Sequence, residues 1–130
     1  MNRIYGPKIR FSETWDKIDA EHFKVGAEFS TWRPDNPERM AYHRGNIGKA
    51  YMVEKPGGHR DQCKGRAMLM SVGKEARNAM EFTDAEIAKD TYADWTKAEW
   101  SDWLQKMYGP TFEILTLREL TFKIVEVNGH

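Results

Sequence analysis

Phe23-Lys24-Val25-Gly26-Ala27-Glu28-Phe29-Ser30-Thr31-Trp32-Arg33-Pro34 is the stretch on which the fold turns. Gly26 breaks the chain, and Phe29, Thr31 and Arg33 then fall at period two, on one face of a strand. A face carrying Phe, Thr and Arg together lines a groove, because a closed core rejects a guanidinium. Pro34 ends the strand or confines it to an edge. Arg33 has the side chain best shaped to hold a phosphate or a base edge. An arginine snorkelling at a strand end is the plainer reading of the same residue.

Working outward, Lys8 to Phe11 alternates Ile9 and Phe11 with Lys8 and Arg10, which predicts a first strand. Ser12 can cap a short helix on which Trp15 and Ile18 meet. Residues 34–48, rich in Pro, Asn and Gly, read as a loop. Lys49–Glu54 is a strand closed by the turn Pro56-Gly57-Gly58, and Gly65–Val72 is another. Thr83-Asp84-Ala85-Glu86 and Thr96-Lys97-Ala98-Glu99 are capping boxes that open two helices. In the second helix Trp100, Trp103, Leu104 and Met107 make one apolar face, with Trp95 and Trp100 at the staple positions. Gly109 and Pro110 stop it. Phe112–Leu117 and Leu120–Val127 close the chain as strands. The order is α+β, and a small, mostly antiparallel, partly closed β-barrel with helices packed on it satisfies it.

Composition narrows the classes. The 130 residues are enough for one domain, 1–130, with a modest core, and 40% apolar against 31% charged residues is ordinary for a globular protein. No apolar run approaches the roughly 20 residues of a membrane span, and the N-terminus lacks the apolar segment expected of a signal peptide. Cys63 is the single cysteine, which fits a reducing cytoplasm; with only His59 near it, no metal site is expected, and no cofactor. Net charge is zero but divided. Residues 1–74 hold 14 Lys/Arg against 9 Asp/Glu, and residues 75–130 hold 6 against 11. Over residues 39–66, Arg39, Arg44, Lys49, Lys55, Arg60, Lys64 and Arg66 face Glu54 and Asp61 alone, with Tyr42 and Tyr51 interleaved. That is the composition of a surface that holds phosphates and stacks bases, and equally of a solvated loop.

The element order and several local residues resemble the ASCH domain family, which has a PUA-like β-barrel. The resemblance covers roughly residues 7–127. It rests on Lys8-Ile9-Arg10-Phe11-Ser12, on Gly26 ahead of Thr31 and Arg33, on Gly65-Arg66-Ala67, and on Lys89-Asp90-Thr91-Tyr92 before a helix ending Met107-Tyr108-Gly109. It implies RNA or nucleoside handling in a cleft beside the barrel. Some members are amidohydrolases that use a Lys, a Thr and a Glu to deacetylate acetylcytidine, and others are proposed ribonucleases or RNA-binding modules. By position the Thr matches Thr31, the strand Arg matches Arg33 and the acidic residue matches Asp90. At the Lys position this chain has Glu28, which supplies neither an amine nor a fixed positive charge; Lys24 is a nearby amine.

Three functions follow. The first is a module binding RNA or a modified nucleotide at Thr31 and Arg33, with Tyr42, Arg44, Lys49, Arg60, Lys64 and Arg66 on the phosphates and Tyr42, Tyr51 or Trp32 as stacking platforms. The second is a hydrolase on the same cleft, a nucleoside amidohydrolase or ribonuclease. There Thr31 is nucleophile or orienting hydroxyl, Asp90 or Glu28 the base, and Lys24 or Arg33 the charge stabiliser. The third is a protein-interaction module using the divided charge.

Overall fold

The computed structural model describes residues 7–10, 23–57, 60–91 and 95–127. The chain runs through β1 (Lys8–Arg10), β2 (Glu28–Pro34), α1 (Pro37–Gly45), β3 (Ala50–Gly57), β4 (Arg60–Val72) and β5 (Arg77–Asn78). After a 3-10 turn come α2 (Asp84–Thr91), α3 (Lys97–Tyr108), a second 3-10 turn and β6 (Thr116–Val127). The helix expected around Trp15 and Ile18 lies outside the described residues.

The strands form one sheet in the order β1-β3-β4-β6-β2, with β5 added on β6. β1 runs parallel to β3 and the other pairs are antiparallel. Register shifts interrupt β3–β4 at Val53/Glu54 and β4–β6 at Arg66/Ala67 and Leu69/Ser71. Each such irregularity sharpens the local twist, so the sheet curls into a half-barrel. Gly65 sits at one of these sites with φ +150°, where a Cβ would run into the Glu126 carbonyl and the Phe23 ring.

Alternation along β2 and β6 sorts the apolar residues into two cores. Phe29, Leu120, Phe122 and Ile124 face the barrel interior with Tyr51, Val53, Ala67, Leu69 and Met40. Phe29 stacks on Phe122 with centroids 5.4 Å apart, as their register requires. The opposite face carries Trp32 and Leu117, against which α2, α3 and the 3-10 turns pack through Phe82, Ile87, Trp100 and Leu104. Both helices start where the sequence places them. Thr83 and Glu86 exchange bonds of 3.0 and 3.2 Å, and so do Thr96 and Glu99. On α3, Trp100 and Leu104 are buried and Trp103 is half-buried, but Met107 is 54% exposed, so the apolar face ends one turn early. Trp95 meets Trp103 at 6.1 Å.

Two expectations are corrected. Residues 34–48 are largely helix. Asn36 is an N-cap whose side chain accepts from Arg39 N at 3.0 Å, and Pro37 occupies the first turn, where its missing N–H has no bond to lose. The basic stretch 39–66 is therefore α1 followed by the β3–β4 ribbon, not a loop. At the other end Phe112–Ile114 is a 3-10 turn, and a single strand from Thr116 replaces the two expected.

Trp100 is 2% exposed and its indole N–H donates to the Ala79 carbonyl at 2.9 Å. Trp100→Ala should lower unfolding free energy by roughly 3–5 kcal/mol, and Gly65→Ala by more than about 2 kcal/mol through the forced backbone shift. Urea unfolding measures both. A Gly65→Ala protein as stable as the native one would contradict the close approach at Glu126.

Candidate functional site

The curled sheet leaves a seam between its ends, β1 and β2, and α1 lies across it. A cavity of about 460 Å³ opens there. β1 contributes Lys8 and Ile9, the end of β2 contributes Arg33 and Pro34, and α1 contributes Asn36, Arg39, Met40 and His43. Ile9 and Met40 are buried members of the barrel core, so the cleft has an apolar floor beneath a cationic rim.

Arg33 reaches the rim because β2 runs out of the core as it nears its end. Phe29 and Thr31, on the same face, are both 5% exposed, and Arg33 is half-buried. Arg33 Nε donates to Thr31 Oγ1 at 3.2 Å, which fixes the guanidinium. Its cross-strand neighbour is Arg118. Like charges directly opposed repel, and Asp35 absorbs this conflict. Its carboxylate takes Arg118 Nε at 2.8 Å and Nη2 at 3.3 Å, while Arg118 Nη1 donates to the Gly73 carbonyl at 2.8 Å. The Arg118 bond holds the Asp35 carboxyl below its ordinary range. Lys8 Nζ lies 3.8 Å from Glu54, and the Arg39 guanidinium sits over the Tyr42 ring at 5.4 Å.

His43 is the residue the sequence did not single out. Only 5% exposed, it places Nδ1 2.6 Å from the hydroxyl of Tyr51, a residue with no exposure at all. Asn46 Nδ2 donates to the same hydroxyl at 3.5 Å. An amide nitrogen only donates, so the phenol oxygen accepts from Asn46, and the direction of the short bond to Nδ1 is set by the tautomer of the imidazole. The imidazole is neutral at neutral pH. Burial, with the positive fields of Arg39 and Arg33, pulls its pKa down to about 4. Burial likewise pushes the Tyr51 phenol up. Met40 and His43, three apart behind an Asn-Pro start, were a helical signal that the density of turn-forming residues hid.

The other sequence candidates are scattered. Glu28 is exposed and pairs with Lys123 across the strands; alternation puts it on the face opposite Thr31. Lys24 is exposed in the turn before Gly26. Asp90 and Arg60 are placed by backbone only, Asp90 on α2 behind the sheet and Arg60 at the start of β4. Lys64 and Arg66 lie half-buried on β4, whereas Tyr42, Arg44 and Lys49 are exposed on or just after α1. Tyr51 is inside the barrel and Trp32 packs edge-on against Phe82 at 4.9 Å, so neither ring offers an open face to a base. Thr31 Oγ1 is engaged by an arginine, which is a donor and no base. Among the described residues no group of three or more metal-ligating side chains converges, and no helix is long and apolar enough to cross a membrane. No protein-family model matches the chain, and no curated protein or solved structure matches it significantly.

The buried imidazole makes stability depend on pH in a defined window. In the unfolded chain His43 binds a proton near pH 6.5, and in the folded chain only near pH 4. The unfolded state therefore binds more protons between these values, and stability falls as pH is lowered through them, by about 3 kcal/mol in full. Urea midpoints should drop across this window in the native protein and much less in His43→Gln. Equal slopes in both would place the imidazole in water.

Proposed function

We propose that this chain is an RNA- or nucleotide-binding module of PUA-like, ASCH-type architecture, with the seam cleft as its binding site. One observation carries the reading. Lys8, Arg33 and Arg39, from three separate elements, converge on a cleft floored by Ile9 and Met40. Phosphate oxygens suit the guanidinium and ammonium groups, and an unstacked base or ribose suits the apolar floor. A volume of about 460 Å³ accommodates a unit of nucleotide size. Exposed Tyr42 offers an aromatic ring in contact with the cleft residue Arg39.

Short single-stranded RNA should bind with an affinity that falls as salt rises, with a log–log slope near −0.7 per phosphate neutralised. Arg33→Ala and Arg39→Ala should each weaken binding by roughly tenfold or more, the scale of one charge-assisted hydrogen bond. Fluorescence titration at several salt concentrations reads both effects. No association at low salt would defeat the proposal.

A further inference from the structure

Outside the cleft, two patches of exposed apolar side chains carry charges of opposite sign. The first is acidic and belongs to the 3-10 turns Ala79–Glu81 and Phe112–Ile114. The β5–β6 pairing, which aligns Asn78 with Thr116, continues as Ala79 N donates to the Leu115 carbonyl at 2.9 Å. The next residues outward on the two segments are Met80 and Ile114, 37% and 76% exposed. Glu81 and Glu113 adjoin them in the chain, both exposed, and among the described residues neither carboxylate meets a cation. Arg77, close by in the chain, is bound to Glu86. The second patch is basic and lies on α1 and the turn after it. Tyr42 and Ile47 are 45% and 48% exposed there. Ile47 N donates to the Arg44 carbonyl at 3.4 Å and Lys49 N to the Asn46 carbonyl at 2.9 Å, a tight turn that holds the exposed Arg44 and Lys49 close to Ile47. Asp35 feels the Arg44 charge but is committed to Arg118, and Glu38 lies at the other end of α1.

We propose that these two patches are the halves of one interface, through which the protein associates head to tail with a second copy of itself. Seating Met80 and Ile114 of one copy on Tyr42 and Ile47 of another removes apolar surface from water on both sides. The same contact gives Glu81 and Glu113 the cationic partners that their own chain does not supply, and gives Arg44 and Lys49 carboxylates. Within one chain the patches do not meet, since all four apolar side chains are exposed. The net charge of zero leaves no overall repulsion between copies. Because the patches differ, the contact is heterologous, and each added copy leaves one patch of either kind free for the next. Both patches are small, so the association belongs to the weak, transient class, and its charges make it sensitive to salt. Neither patch includes a residue that lines the cleft, so the contact stands apart from the ligand-binding reading.

Sedimentation velocity of the full chain over about a hundredfold range of concentration tests this. The mean mass should rise with concentration at low salt and return to that of the monomer as salt is added. Glu81→Lys with Glu113→Lys, and separately Arg44→Glu with Lys49→Glu, should each weaken association at least about tenfold. An equimolar mixture of these two variants should restore it, because each keeps the patch that the other lacks. Ile114→Ser leaves the charge unchanged and should also weaken association about tenfold, which separates a fitted contact from diffuse charge attraction. All the altered positions are exposed, and urea midpoints close to the native one show that the variants fold. A monomer at every concentration at low salt overturns the proposal. So does association that survives either charge reversal, a mixture that stays monomeric, or association indifferent to Ile114→Ser.

Discussion

A sheet that curls without closing has two edges to dispose of, and this constraint organises the molecule. β1 and β2 end the sheet on either side of a seam, one parallel to its neighbour and the other antiparallel. Exposed edges and an open barrel interior are both unfavourable. Helix α1 covers the opening and buries Met40 in the barrel core. Among the described residues the cover is partial, and the cleft lies between them. Its cationic residues come from three elements: Lys8 opens β1, Arg33 stands next to the end of β2 and Arg39 lies in the first turn of α1.

Filling a seam with a helix brings polar side chains close to the core, and their energetics decide the local arrangement. A charged histidine at His43 would sit near Arg33 and Arg39 with little water to screen it. Burial and the neighbouring arginine charges make the neutral form the stable one, and the Tyr51 hydroxyl and the imidazole satisfy each other with one short bond. Arg33 and Arg118 face each other at the mouth for the same topological reason, and Asp35 sets them apart in role. Arg118 becomes part of the scaffold through a bidentate ion pair, and Arg33, tied to Thr31, faces the cleft. Replacing Asp35 would thus disturb the cleft without touching any ligand.

The second core is separable from this in its logic. α2 and α3 pack on the back of β2 and β6 around Phe82 and the tryptophans, with rings in contact from Trp32 through Phe82 and Trp100 to Trp103. β2 is consequently covered on both faces: Trp32 is clamped from one side and Phe29 from the other. Arg33 projects from a strand packed on both faces, which preorganises its position.

Local signals were legible in the sequence and long-range ones were not. Capping boxes at Thr83 and Thr96 act within four residues, and strand alternation at Phe29 and Thr31 or at Leu120, Phe122 and Ile124 is a local consequence of the pleat. The sequence thus determined the α+β class, the helix starts and the face on which Arg33 lies. It also misled locally where two meanings compete, because Asn36-Pro37 serves a turn as readily as a helix start. Which residues share a site depended on closure of the curled sheet. Lys8 and Arg39 belong to different elements with β2 between them in the chain, and the curl of the sheet brings them to one cleft. The same geometry made His43 a buried neutral imidazole and put Glu28 across the sheet from Thr31, since burial and facing direction are properties of the assembled layers, not of a residue and its neighbours in the chain.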